Sequence, residues 1–275
     1  MKSIFASITL LLVISINSSA QNIDSVNHSF PYNVKLKVDV PVTLAAIGLT
    51  VYGNHLIHNK SGLTMEQLAT KTPDKVNGFD RGSAGFYSAK ADKDSYIPFD
   101  ISFGLPVIMV LTNGPERSEM GKILLLYTET MAITGTFYTM SAGNIVRSRP
   151  LVYSTNAPLD VRLSKNSQRS FFAGHTAATA AATFFTAKVF SDYNPDSRLK
   201  PFVWGVAAAV PALVGYLRYK SGEHFLSDNI VGYAVGTACG ILVPKFHKSR
   251  FSKNVTFIPS IGTKSNSFSF LYSIK

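Results

Sequence analysis

Five apolar segments of near-bilayer length constrain the fold of this chain more than any other property. They run Ile97–Leu111, Met120–Ser141, Phe171–Phe190, Pro201–Tyr219 and Phe225–Val243. A helix needs about 20 predominantly apolar residues to cross hydrocarbon. A sixth segment, Val38–Ile57, is apolar but interrupted by Asp39, Pro41 and Gly48. Asp100, Glu129, Asp228 and several prolines break the others, so some faces must meet protein rather than lipid. The expectation is an all-α fold, a membrane-embedded bundle of five to six apolar helices, with a soluble helical bundle as the alternative.

Composition agrees. Charged residues make up 16% of the 275, against about 25% in ordinary soluble proteins. The mean hydropathy of +0.14 is modest for a membrane protein. A net charge of +11 raises the question of nucleic acid, but the basic residues are scattered through loops, with no basic helix, zinc-type spacing or aromatic–basic alternation. Anionic membrane surfaces or phosphorylated substrates fit the charge better. The single cysteine, Cys239, lies in an apolar run and excludes an intramolecular disulfide. No cofactor or metal is implied by any motif, and the sequence is silent on oligomeric state.

The chain opens like a secretory signal, with Lys2, an apolar run Ile4–Ile16, and Ser18-Ser19-Ala20 before Gln21. An uncleaved anchor is the alternative. The expected organisation is a signal at 1–20, an N-terminal segment at 21–95 with an interfacial helix and a loop, a helical core at 96–245, and a basic tail at 246–275. Alternation in the tail, ending Phe268-Ser269-Phe270-Leu271-Tyr272, predicts one or two short strands. Lys245, Lys248, Arg250 and Lys253, with Arg117, Lys122, Arg198 and Lys200, belong in the cytoplasm under the positive-inside bias. The opposite helix ends then face the exported side of a bacterial inner membrane. With a cleaved signal this parity needs five spans, so Val38–Ile57 is expected to lie in the interface or pack against the bundle.

Three groups of polar residues stand at those opposite ends: Arg147-Ser148-Arg149-Pro150, Gly174-His175, and Arg218-x5-His224-x3-Asp228. His224 and Asp228, four apart, share a helix face. A carboxylate behind a histidine fixes its tautomer and leaves the other nitrogen to attack, which makes His224 the candidate nucleophile and Asp228 its orienter. Gly174 opens a helix whose free N–H groups suit an anion, and glycine permits close backbone approach. His175 beside it is placed to protonate a leaving oxygen. Arg147, Arg149 and Arg218 offer planar forks for phosphate oxygens. Each group alone has a bland reading, as a helix-start histidine, a capping residue or a charged membrane flank. Together they describe a phosphohistidine site.

These residues resemble the type 2 phosphatidic acid phosphatase (PAP2) superfamily, which also contains vanadium haloperoxidases. The family pattern is Lys-x6-Arg-Pro, Pro-Ser-Gly-His and Ser-Arg-x5-His-x3-Asp. Here Arg149-Pro150, Gly174-His175 and Arg218-x5-His224-x3-Asp228 match, over residues 95 to 245. The resemblance implies a PAP2-like helical core in which Arg149 and Arg218 bind phosphate, His175 is the acid, His224 the nucleophile and Asp228 its partner. It implies a phosphatase acting on a membrane lipid such as phosphatidate, lipid A or a polyprenyl diphosphate. Three motif elements depart, at four positions: Ala142 replaces the lysine, Phe172-Ala173 the Pro-Ser pair, and Leu217 the serine. Arg147, Lys165 and Lys220 are the nearby substitutes, Arg147 first. Two alternatives remain: a non-catalytic or weakly active protein that binds phosphorylated lipid, and a soluble periplasmic acid phosphatase.

Overall fold

In the computed structural model, residues 31–248 are described, together with the backbone of 255–261 and 266–272. The signal-like segment 1–20 lies outside the described residues. Six long helices carry the structure: α1 (Leu36–His58), α2 (Ala89–Thr112), α3 (Met120–Asn144), α4 (Gly174–Tyr193), α5 (Lys200–Lys220) and α6 (Leu226–Phe246). Short helical turns fill the connections between α1 and α2 and between α3 and α4. The tail holds β1 (Val255–Ile261) and β2 (Asn266–Tyr272), paired antiparallel with Val255 opposite Tyr272.

The centre of the bundle is the contact between α4 and α6, and its sequence explains why they lie so close. Gly232, Gly236 and Gly240 occur every fourth residue, one stripe along α6. A Cβ at these positions would meet the carbonyl oxygens of Ala173, Ala177 and Ala181 at 2.5, 2.0 and 2.7 Å. Both sequences ascend together, so the two helices run parallel and begin at the same end of the bundle. In a membrane, where lipid is as apolar as leucine, such small-residue stripes let backbones pack and gain dispersion contacts. On its other side α4 packs against α5, and α2 covers both.

Helix α1 belongs to the bundle. Thr50 Oγ1 donates to the Ala132 carbonyl at 3.1 Å, and Thr136 Oγ1 to the Ala46 carbonyl at 2.8 Å. Gly53 packs against Thr139 and Gly143 against Leu56. These pairs place α1 parallel to α3, running toward the end where α4 and α6 begin. Val38–Ile57 was expected to stay outside the five spans; here it packs along α3 in a helix that is itself long and apolar enough to cross a membrane.

Among the described residues, four helices, α1, α2, α5 and α6, are long and apolar enough to cross a membrane. Their outward faces are apolar: Leu44 is 61% exposed, Ile101 60% and Phe202 69%. Such a surface is unfavourable in water at this extent and suits lipid. Of the polar interruptions Glu129 and Asp228 point inward and are buried, while Asp100 is exposed. The fold is an all-α, membrane-embedded bundle.

A side chain at Gly236 has to displace the α4 backbone. Gly236→Val should destabilise the bundle by about 1–3 kcal/mol or more, the range for overpacking. Thermal unfolding in detergent checks this, with Gly205→Val, where a Cβ meets nothing within 4 Å, as the control expected to stay near the parent.

Candidate active site

At the end where α4 and α6 start, the connecting loops are tied together by backbone hydrogen bonds. Pro150 opens a turn after α3. Before it, Arg147 N and Arg149 N donate to the carbonyls of Gln168 and Ser167 at 3.1 and 2.8 Å, and Ser170 N returns to the Arg147 carbonyl at 3.0 Å. Leu151 N reaches the Gly222 carbonyl at 3.0 Å, and Ser88 N the Ser221 carbonyl at 3.3 Å. Gly222 permits this with φ of +76°, and a Cβ there would lie 1.9 Å from the Phe86 carbonyl oxygen. Segments far apart in sequence thus converge on the start of α6.

His224 sits in the linker between α5 and α6 and is 1% exposed. Its Nδ1 lies 2.6 Å from the Ser170 carbonyl oxygen. A carbonyl only accepts, so Nδ1 carries the proton and Nε2 the lone pair. Burial, then the charges of Arg149 and Arg218, holds the imidazole well below the ordinary histidine range. The ring is neutral at pH 7, as a nucleophile requires.

Asp228 was expected behind His224, but the structure places it one step further away. Its Oδ2 accepts from Ser170 Oγ at 2.5 Å and from Phe225 N at 2.9 Å, and its Oδ1 pairs with Arg147. It caps the first turn of α6 and holds Ser170, whose carbonyl in turn orients His224. The helical spacing of four put both residues on one face, but the carboxylate is drawn to the free amide of the helix start instead of the ring.

Arg149 and Arg218 come together as expected, 3% and 2% exposed. Both pair with one carboxylate, Glu223: Arg218 Nη2 lies 2.8 Å from its Oε2, and Arg149 Nη1 contacts the same oxygen. Arg218 also pairs with Asp92. The Nε atoms of Arg149, Arg169 and Arg218 are buried and donate to no acceptor. Burial, with the charges of Arg218 and Arg169 beside it, pushes Arg149 below the ordinary guanidinium range. Buried donors without partners are rare in folded proteins, and here three arginines carry one each.

Two further placements correct the reading from sequence. Arg147 is not turned toward this cluster. Its Nη2 lies 2.6 Å from Asp80 Oδ2, its Nη1 pairs with Asp228, and the guanidinium stands 4.8 Å from the Phe225 ring centre. Two carboxylates and an aromatic face outcompete any pull toward the other arginines. Asp80 also accepts from Ser227 N at 3.1 Å; burial acts to raise its pKa, but hydrogen bonds from Asn77, Ser227 and Arg147 hold it below the usual carboxylate range. Lys165 and Lys220 are not substitutes either: one donates to the His58 carbonyl at 2.8 Å, the other lies over the Phe86 ring. At Gly174, the missing side chain makes room for protein: a Cβ would meet the Tyr138 ring at 2.6 Å. His175 packs against Tyr96 and Phe99, ring centres 5.1 and 4.4 Å away.

Sequence reasoning missed Arg169 and Glu223. The charge of Arg169 acts on both Arg149 and His175. It has no helical period or motif to announce it, and only its backbone pairing with Arg147 brings it in. Glu223 lay in a stretch read as a polar linker. Ala142 and Ala173 are fully buried, so the positions where the pattern has lysine and serine are sealed in packing.

Residues 123–252 match the model of the PAP2 superfamily, and this segment carries Arg147, Arg149, Arg169, Ser170, His175, Arg218, Glu223, His224 and Asp228. A lipid A 4'-phosphatase of Porphyromonas gingivalis is 36% identical over 77 residues, which is 28% of this chain and 29% of that protein. The chain thus aligns with less than a third of that relative. Among solved structures, a transmembrane PAP2-type phosphatidylglycerolphosphate phosphatase from Bacillus subtilis aligns over 76% of this chain and 94% of its own, at 20% identity and a TM-score of 0.44. LpxE from Aquifex aeolicus aligns over 64% and 99%, at 21% identity and a TM-score of 0.43.

Glu223 occupies the place between two arginines that an anion would take. Glu223→Gln should therefore tighten binding of orthovanadate or inorganic phosphate by about tenfold, the equivalent of ~1.4 kcal/mol. Calorimetric titration of the purified protein reads this, and an unchanged or weaker affinity would show that the carboxylate does not compete for the position.

Proposed function

We propose that this PAP2 superfamily protein is a membrane phosphatase that removes a phosphate from a lipid through a phosphohistidine on His224. The observation that carries the reading is the His224 ring itself, buried, neutral, proton fixed on Nδ1 by Ser170, beside two converging arginines. In the first step the Nε2 lone pair forms the N–P bond as the lipid P–O bond breaks. The leaving oxygen takes a proton from His175, which is protonated once the negatively charged phosphate has entered beside it. In the second, His175 removes a proton from water, which attacks phosphorus, and the N–P bond returns its electrons to Nε2. Arg149, Arg218 and Arg169 hold the phosphoryl oxygens, and Glu223 withdraws as they enter. Fixed cations in a water-excluded site stabilise the charge that develops in such transfers.

The first substrate to test is a lipid A-type glycolipid monophosphate, because that is the substrate class in the name of the Porphyromonas gingivalis relative. Phosphatidate, phosphatidylglycerol phosphate and undecaprenyl diphosphate complete the panel. The soluble phosphatase alternative leaves the apolar outer faces of α1, α2 and α5 in water and is disfavoured for that reason. The non-catalytic alternative draws support from one feature, the Glu223 carboxylate closed onto both arginines.

Phosphate release by the purified protein, beside His224→Ala, decides between them. Release by the parent and none by the variant supports the reading; no release from any lipid in the panel sinks it. Arg169→Ala should lower kcat/KM by about 10²–10³, the effect of removing one charge-stabilising donor. The pH profile has a definite sign. With its pKa depressed, His224 stays neutral as pH falls past about 6.5, the ordinary histidine value. The acid limb of kcat/KM should lie below that, and a limb at or above it would argue against His224 as the nucleophile.

For orientation we propose that the site faces the exported side. The basic stretch that follows α6 and the cations Arg117 and Lys122 motivate this; Lys60, Lys71 and Lys75, at the site end, run against the same rule. Since α1 runs parallel to α3, six crossings put the residues before α1 on the side away from the site. Cleavage at Ala20 together with six crossings would invert the arrangement. An impermeant maleimide on intact cells should label Asn156→Cys and leave Ser197→Cys unlabelled; the reverse pattern overturns it.

A further inference from the structure

At the opposite end of the bundle, three side chains from three helices meet in a group that the phosphatase chemistry does not use. Asp39 stands in the first turn of α1, Glu129 within α3, and His247 at the C-terminal cap of α6. One ligand atom from each lies within 4.8 Å of the other two. His247 Nε2 is 3.3 Å from Asp39 Oδ1 and 3.7 Å from Glu129 Oε2. Donors bound to one ion at about 2.1 Å are separated by roughly 3.4 Å in a tetrahedral shell. We propose that Asp39, Glu129 and His247 bind one divalent transition-metal ion, Zn²⁺ or Mn²⁺, which ties α1 to α3 and α6.

Three observations support this over an ordinary buried ion pair. The first is the histidine tautomer. His247 Nδ1 lies 2.8 Å from the Val243 carbonyl oxygen, so it carries a proton and Nε2 is turned to the two carboxylates. Metal-bound histidines have this arrangement, the remote N–H donating to a backbone carbonyl while the other nitrogen faces the ion. The second is the carboxylate behind it: Asp39 Oδ2 accepts from Lys35 N at 2.6 Å, which leaves Oδ1 toward His247. The third is Glu129, 5% exposed, whose Oε2 is buried without a hydrogen-bond partner and aimed into the group.

Charge points the same way. Two carboxylates held together away from water are disfavoured unless protons or positive charges balance them. An imidazolium supplies one such charge, and a divalent ion with neutral His247 supplies two. A nitrogen ligand in the set favours a transition ion over Mg²⁺ or Ca²⁺, which prefer oxygen alone. The ligands lie 90 or more residues apart, so no local spacing of the kind that marks zinc motifs is available to reveal them.

The test uses the full chain in detergent, equilibrated with Zn²⁺ or with Mn²⁺, freed of excess by gel filtration, and assayed for metal per chain by mass spectrometry. The expected result is one ion per chain in the parent, and at least a tenfold loss in Glu129→Gln and in His247→Ala. Glu129→Gln is nearly isosteric and is the informative variant if His247→Ala fails to fold. A His175→Ala, His224→Ala double variant should keep its ion, which separates this site from the phosphatase histidines and makes the result independent of catalysis. The ion should also raise the melting temperature of the parent and not that of Glu129→Gln. No ion retained by the parent overturns the proposal, as does equal retention in Glu129→Gln or loss of the ion in the double variant.

Discussion

The close approach of α4 and α6 is the contact on which everything else depends. Because Gly232, Gly236 and Gly240 let α6 lie against the α4 backbone, two helices begin side by side at one end of the bundle. Gly174-His175 and His224 are carried on those two beginnings. Ala173 N donates to the Asp228 carbonyl at 3.1 Å, linking one helix start to the other. A wider separation would leave the histidines on different surfaces. Helix packing and site assembly are the same event here, set by the absence of three side chains.

The second governing term is charge held out of water. Arg149 and Arg218 are buried against Glu223 and Asp92, while Arg147 joins Asp80 to Asp228. The two sets lie on either side of the His224 linker and do different jobs. The Arg147 set has a carboxylate on each side of the cation and reads as a structural lock on the entrance to α6. In the Arg149 set the charges of Arg218 and Arg169 both act on Arg149, with donors left over. Burial of such an excess is costly unless an anion arrives, which supports the proposed phosphate position at this set and not at the other.

Much of this was legible in the chain. Apolar length gave the helices, and inward-facing Glu129 and Asp228 followed from polar residues in apolar runs. The spacing in Arg218-x5-His224 succeeded because it is local, a helix end, a short turn and a helix start. What failed was anything set by competition between partners. Arg147 and Arg149 are two residues apart and chemically identical, and only the location of Asp80 separates their roles. Asp228 could reach a ring or an amide, and the helix start won. Arg169 and Glu223 belong to the site through loop pairing that no periodicity records. Val38–Ile57 was ambiguous because threonine and glycine at its α3-facing positions look polar or permissive in sequence, yet serve as contact surface.

The partner that orients His224 is a main-chain carbonyl. Every residue but none in particular supplies that acceptor, so no substitution at position 170 removes it. The proton on Nδ1 is therefore a property of where the chain runs, inherited from the pairing of 167–170 with 147–149. Changes of side chain at position 170 leave that carbonyl in place, while insertions or deletions in either loop would shift it and lose the tautomer outright. In this chain the orientation of His224 is set by loop length more than by residue identity.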